Sequence, residues 1–338
     1  MTSSGGTIKP TLAITIGDPA GIGPEVALRA ALAERGQSAA RLILVGDRPV
    51  LADIAARLGL TVRLVDANLE GDSTPQDLPS VEIIDTGVLS SPLPLGKASA
   101  EGGTASFRAI ERSIELAGAG KVNGVVTAPI NKRALSLAGI QFPGHTEIFG
   151  EFTAAANYAM LMYSERLAVG LVTCHQSLRS VPETLTAARI ETVGRLLVEN
   201  VERIRGVRPR LAVLGLNPHA GEEGLFGDEE DRLMVPAIAA LRAAGIDAEG
   251  PLPPDTAFTP RALERYGAHL CLYHDQGLIP FKMISFDDGV NVTMGLPFVR
   301  TSVDHGTAYD LAGSGRAEVG SMLEAIELAA RLATVPLR

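Results

Sequence analysis

The chain has 338 residues, which at roughly 100 to 200 per domain predicts about two domains and excludes a small scaffold held by disulfides. Its 30 Lys and Arg against 39 Asp and Glu leave a formal charge of -9, with no basic block to which nucleic acid or an anionic membrane could bind strongly. Apolar residues make up 46% of the chain, yet aromatics only 4% with no Trp, so the core must be built from Ala, Leu, Val and Ile, as in helix-covered sheets.

In chain order, the start MTSSGGTIKP lacks the charged and then apolar pattern of an export signal. A strand is expected over 12–16 (LAITI), then a helix over PEVALRAALAE. A second strand over 42–46 (LILVG) is followed by a helix over PVLADIAARLG. The Pro-, Ser- and Asp-rich stretch 71–103 reads as loop except for a strand at Val81–Ile84, and Thr104 or Ser106 is the expected cap of a helix running to about Leu116. VNGVVTA (122–128) precedes a helix over NKRALSLAG. Strands follow near 157–163, 167–174, 211–216 and 269–273, with helices near 187–203, 229–244 and 318–333. Repeated strand-then-helix units imply an α/β fold with a largely parallel sheet. No apolar run approaches the ~18 residues of a membrane span, so a soluble, cytoplasmic protein is expected. The two cysteines, Cys174 and Cys271, form no CxxC pair, suit a reducing compartment and read as core packing.

Six histidines, at 145, 175, 219, 269, 274 and 305, lie in one stretch, and VGLVTCH, LAVLGLNPH and AHLCLYH each close an apolar strand. Strand ends are where α/β sheets place ligands. A set of three imidazoles would hold a divalent metal with coordination positions left open for substrate oxygens. Asp275 and Gln276 could orient the His274 ring or simply form a turn. GDPAGIGPE (Gly17–Glu25) fits neither GxGxxG nor a phosphate loop, and is either a tight strand-to-helix turn or a ligand contact. FPGHTEIFGEF places His145 and Thr146 at a helix start, with Thr146 as an N-cap or part of a phosphate site. Lys282, Asn291 and Arg300, on a stretch expected to be irregular, suggest an anion-binding cluster.

GDPAGIGPE, TAPINK (127–132), GHTE (144–147), GLNPHAGE (215–222), YHDQG (273–277), GVNVTMGLPFVRTSVDHGTA (289–308) and DLAGSG (310–315) occur together and in order. With these motifs the chain resembles the 4-hydroxythreonine-4-phosphate dehydrogenases of vitamin B6 synthesis over nearly its whole length. That family has the isocitrate/isopropylmalate dehydrogenase-like fold. GDPAGIGPE resembles the GDGIGPE of the wider group with two residues inserted, and HGTAYDLAGSG resembles its dinucleotide-holding loop, HGSAPDIAGKG.

The resemblance implies two α/β/α lobes, 1–130 with 300–338 and 131–299, with the active site in the cleft between them and the metal and dimer contacts on the second lobe. It implies a divalent metal (Zn, Mg or Co) on His175, His219 and His274, and substrate contacts from His145, Thr146, Lys282, Asn291 and Arg300. NAD would lie on His305, Gly306, Thr307, Ala308 and Asp310, although Asp310 could instead cap a helix. The base that takes the hydroxyl proton is Lys282 or Asp255. The implied reaction oxidises 4-phosphooxy-L-threonine at C3 and releases carbon dioxide, in a homodimer whose partner subunit supplies the residue matching His274. Paralogues acting on 4-phospho-D-threonate or D-erythronate 4-phosphate are the first alternative, because CHQSLRSVP belongs clearly to neither group. A terephthalate dihydrodiol dehydrogenase is the second, disfavoured by the retained GHTE and Lys282. A zinc hydrolase or aldolase would need no dinucleotide loop, and a solute-binding protein would normally carry an export signal.

Overall fold

The computed structural model describes residues 9–71 and 79–336; the first residues of the start and part of the expected 71–103 loop lie outside them. These residues form two compact units, one running to Thr153 and resuming at Pro297, the other spanning Ala154–Leu296.

The first unit begins with β1 (Thr11–Thr15), α1 (Gly23–Leu32), α2 (Glu34–Ala39), β2 (Arg41–Gly46), α3 (Arg48–Arg57), β3 (Arg63–Asp66) and β4 (Ser80–Asp85). There follow α4 (Ala100–Gly118), β5 (Gly124–Thr127), α5 (Lys132–Leu137) and α6 (His145–Phe152). Residues 131–153, expected in the second lobe, thus belong to the first unit, where α5 packs on α4. Ser99, and neither Thr104 nor Ser106, caps α4: its Oγ accepts from Gly102 N at 3.0 Å. The two hydroxyls expected as caps instead donate to Ala100 O and Gly102 O inside the helix, the local bond available to a mid-helix hydroxyl.

The second unit contains β6 (Ala159–Tyr163), β7 (Ala168–Leu171), α7 (Val181–Thr184), α8 (Ala187–Arg205), β8 (Leu211–Leu214), α9 (Val235–Ala243), β9 (Ala248–Leu252), α10 (Pro260–Arg265), β10 (Ala268–Cys271), α11 (His274–Ile284) and β11 (Val290–Met294). The chain returns to the first unit with β12 (Val299–Val303) and α12 (Gly320–Ala333). Lys282, Asn291 and Arg300 therefore sit on α11, β11 and β12 rather than on irregular chain.

In the first unit the strand order is β3-β4-β2-β1-β5-β12, all parallel. The inner strands are buried along their length, which is why they read as continuous Leu, Ile and Val runs instead of alternating ones. In the second, β11-β6-β7-β10-β8-β9, the pairs β11/β6 and β6/β7 are antiparallel and the others parallel. Cys271 is wholly buried and Cys174 packs against the same core beside Met160, as core packing requires. Among the described residues no helix is long and apolar enough to cross a membrane.

Candidate active site

In the second unit the parallel pairing of β7 and β10 carries on beyond the strands: Val172 N donates to Cys271 O at 2.9 Å and Thr173 Oγ1 to Leu272 O at 2.7 Å. His175 and His274 therefore leave adjacent strand ends side by side, with ring centroids 6.0 Å apart. His274 opens α11, and its Nδ1 is 2.7 Å from Asp275 Oδ1. That partner orients the ring and leaves Nε2 available to a ligand. Gln276 does different work. Its Oε1 accepts from Leu272 N and its Nε2 donates to Gly215 O, both at 2.7 Å, tying the start of α11 to the end of β8.

His219 follows β8 in a turn where His219, Ala220, Glu222 and Glu223 all have φ between 46 and 54°. Left-handed backbone costs a side-chain-bearing residue roughly 1–2 kcal/mol, so four such residues in one turn need outside support. It comes from Glu230, buried at the start of a π-helical turn (Glu230–Met234), whose Oε1 accepts from Leu216 N at 2.7 Å and Asn217 N at 2.8 Å. Strained turns and π turns are both over-represented at functional sites. No motif or spacing in the chain marks Glu230 out. Within one chain, and among the described residues, no three His, Cys, Asp or Glu side chains converge as a metal set.

Three of the anion-binding candidates lie in the first unit, Arg300 near the start of β12 and His145 and Thr146 at the start of α6. Arg300 on β12 is only 1% exposed, donates from Nη2 to Thr127 Oγ1 at 2.6 Å, and lies over the Phe149 ring at 5.4 Å. Burial pushes its ionisation down to about 9, and the nearby Glu147 carboxylate partly offsets that. A guanidinium keeps its proton at neutral pH all the same. His145 faces the same charge: burial first, and then Arg300, hold its pKa well below the usual histidine value, leaving a neutral ring. Its Nε2 is buried with no hydrogen-bond partner among the described residues. Thr146 is buried but is not a cap, because Gly144 occupies that position and His145 is the first helical residue.

Elsewhere in the second unit, Lys282 is half-buried with its Nζ 5.6 Å from the Phe286 ring centroid. Asn291 on β11 pairs in register with Met162, and its Oδ1 is buried without a partner among the described residues. Asp255 is exposed in the turn after β9, beside a pocket lined by Pro253, Thr256 and Tyr266.

The loop 305–317 of the first unit leaves His305, Gly306 and Asp310 exposed. Asp310 lies in a turn well before α12 begins at Gly320, so it caps no helix. Four hydrogen bonds join this loop to GDPAGIGPE: Ile22 N to Thr307 O at 3.0 Å, Tyr309 OH to Asp18 Oδ2 at 2.7 Å, Gly315 N to Glu25 Oε2 at 3.3 Å, and Ala317 N to Glu25 Oε1 at 3.2 Å. The glycine-bearing motif is therefore more than a turn between β1 and α1.

Two α/β units of this topology make the fold that of the isocitrate/isopropylmalate dehydrogenase-like oxidoreductases. Residues 38–329 match the family model of the pyridoxal phosphate biosynthetic protein PdxA, and the chain belongs to that family. It is 45% identical over 325 residues to the D-threonate 4-phosphate dehydrogenase of Salmonella typhimurium, covering 96% of this chain and 99% of the relative. It is 45% identical over 330 residues to the 4-hydroxythreonine-4-phosphate dehydrogenase of Geobacter metallireducens, covering 97% and 96%. A crystal structure of the 4-hydroxythreonine-4-phosphate dehydrogenase of Klebsiella pneumoniae is similar with a TM-score of 0.85 and 44% identity, covering 97% of this chain and 99% of that one. Membership in the family implies a nicotinamide cofactor and a divalent metal.

Proposed function

We propose that the protein oxidises the C3 hydroxyl of 4-phosphooxy-L-threonine with NAD and a divalent metal, and that the β-keto acid so formed loses carbon dioxide to give 3-amino-2-oxopropyl phosphate. The observation that carries this reading is the buried Arg300 with the buried Nε2 of His145 beside it. A buried guanidinium beside a neutral imidazole with an unpartnered Nε2 is a place prepared for a phosphate or carboxylate. Thr146, Lys282 and Asn291 complete the proposed substrate contacts, the last through its unpartnered Oδ1.

The metal, Zn, Mg or Co, is assigned to His175 and His219 of one subunit and His274 of the partner subunit in a homodimer. The donor set fits such an ion: imidazoles at strand ends, His274 oriented by Asp275, His219 held in a braced turn. A bound metal would polarise the substrate hydroxyl and a bound nicotinamide would accept the hydride. The proton of that hydroxyl is assigned to Lys282, with Asp255 as the competing base. NAD is assigned to His305, Gly306, Thr307, Ala308 and Asp310, whose exposed carboxylate would accept from ribose hydroxyls.

A second reading, D-threonate 4-phosphate as substrate, is favoured by the Salmonella relative that carries that name at 45% identity. The same phosphate contacts would serve both compounds, which differ at C2, so the test is a comparison. NADH formation by the metal-loaded enzyme is followed with each compound, and the larger kcat/KM identifies the substrate. Reduction of NAD by neither compound sinks both readings.

A further inference from the structure

Asp18 and Glu25 are buried carboxylates whose hydrogen-bond donors come largely from one loop, and the geometry points to both as positioning residues for dinucleotide binding by 305–317. The inference rests on reading that loop as the NAD site. Asp18 is 1% exposed, with Oδ1 accepting from Ala20 N at 2.8 Å and Oδ2 from the Tyr309 hydroxyl at 2.7 Å. Glu25 is fully buried: Oε1 accepts from Ala317 N at 3.2 Å, Oε2 from Gly315 N at 3.3 Å, and Arg29 Nη1 lies 3.1 Å from Oε1. The same Arg29 nitrogen donates to Ala317 O at 2.6 Å.

The local backbone is shaped for this clamp. Gly17 has φ of +70°, and a Cβ there would run into Pro129 O, so only glycine lets the chain turn away from β1 to place Asp18. A Cβ on Gly21 would come 2.9 Å from Thr307 O, where the backbone of the motif meets the loop. The clamp thus acts at Thr307 and Tyr309 near one end of the loop and at Gly315 and Ala317 near the other, while His305, Gly306 and Asp310 stay open to solvent. Buried charges with good donors contribute little net stability over apolar packing. A loop whose ends are already fixed loses less conformational freedom when it takes a ligand. Two buried carboxylates spent on loop donors therefore serve binding more than core stability.

The test measures dissociation of NAD directly, by calorimetric titration of the metal-loaded enzyme, alongside steady-state kinetics and thermal unfolding. Tyr309→Phe deletes one hydroxyl and keeps the ring; Glu25→Gln removes one of two charged acceptors and keeps the shape. Each should weaken NAD binding roughly tenfold, the loss of about one charge-assisted hydrogen bond. KM for NAD should rise in parallel, with kcat at saturating NAD and KM for the phosphorylated substrate within about twofold of the parent. Asp18→Asn, which can still pair with the hydroxyl, should bind NAD more tightly than Asp18→Ala. Unchanged NAD affinity in both Tyr309→Phe and Glu25→Gln overturns the inference. So does a fall in NAD affinity accompanied by an equal rise in substrate KM and a drop in melting temperature, which would mark ordinary core contacts. If the parent enzyme itself binds no dinucleotide, the NAD reading of the loop fails first and takes the inference with it.

Discussion

Glu230 grips Asn217 twice, accepting the backbone N–H on Oε1 at 2.8 Å and the side-chain amide on Oε2 at 3.0 Å. Asn217 starts the turn that carries His219, so a buried carboxylate on the following π turn fixes the backbone of a proposed metal ligand. Replacing Glu230 with Ala should lower divalent-metal affinity by about ten- to a hundredfold, as loss of a group supporting a ligand does. Calorimetric titration of the metal-free protein checks this, and Glu230→Gln serves if the Ala variant does not fold. Metal affinity equal to the parent's in a folded variant would show that the turn holds its shape without the carboxylate.

The Arg300 and His145 pair makes phosphate recognition measurable. With a guanidinium and a neutral imidazole both bonding an anionic phosphate, each contact on the order of 1.5–3 kcal/mol because the acceptor is charged, 4-hydroxy-L-threonine in place of its phosphate ester should lose several kcal/mol of transition-state binding, read from kcat/KM. Arg300→Lys should lose part of the same amount, because an ammonium cannot reproduce the fork that reaches Thr127 Oγ1. Equal rates with and without the phosphate would move the anion site elsewhere.

Cofactor choice turns on Asp310. An exposed carboxylate in the loop would accept ribose hydroxyls and repel a 2'-phosphate, and its position in a turn removes the competing role as a helix cap. The parent should prefer NAD over NADP in kcat/KM, and Asp310→Lys should narrow or reverse that preference. A preference unaltered by the substitution would locate adenosine recognition on other residues.

β1, β2 and β5 of the first unit were legible because buried parallel strands are continuous apolar runs, as in LAITI and LILVG. Helix α11 was not, because Gly277 and Pro280 both argue against a helix. The structure requires that glycine, whose Cβ would crowd Cys271 Sγ at 3.0 Å, so tertiary packing overrides propensity. β12 hid behind Arg300, a charged residue that reads as surface, and its burial over Phe149 cannot be seen from spacing. The histidines stood out because each ends an apolar run. Glu230 and the clamp of Asp18, Glu25 and Tyr309 did not, since their partners lie across long sequence separations and are backbone groups that carry no residue-type signal.

His269, 1% exposed on β10, has its Nε2 3.0 Å from Ala257 O and its ring stacked on Phe258. Burial, the largest effect, lowers its pKa to about 4 against the hydrogen bond to Ala257. Above pH ~6.5 the native and unfolded chains are both neutral at this residue, and it adds no pH dependence. As pH falls from there toward 4, the unfolded chain takes up a proton that the native state refuses, and stability drops. The loss over that window is on the order of 3 kcal/mol. His269→Gln can still donate to Ala257 O but does not titrate, so its urea unfolding free energy should fall less steeply between pH 6.5 and 4. Parallel slopes for variant and parent would assign the acid limb to other groups.

The assignment of His274 to the partner subunit can be separated from a private site by complementation. Within one chain His175 and His274 have ring centroids 6.0 Å apart, and among the described residues no group of three His, Cys, Asp or Glu side chains is placed to hold a metal. Two arrangements follow: His175 and His219 of one subunit with His274 of the partner subunit, or a site built on the His175 and His274 of a single chain. His175→Ala and His274→Ala should each be inactive, since an incomplete imidazole set loses metal affinity and turnover together. In a heterodimer of the two variants, a shared arrangement puts both lesions in one site and leaves the other intact. A private arrangement leaves one lesion in each site. Mixing and refolding the two variants should therefore restore an appreciable fraction of parental activity, with one metal bound per heterodimer by elemental analysis. If heterodimers form by mass spectrometry and the mixture stays inactive and metal-poor, the His175 and His274 that face each other in one chain belong to the same site, and the partner subunit contributes no ligand through His274.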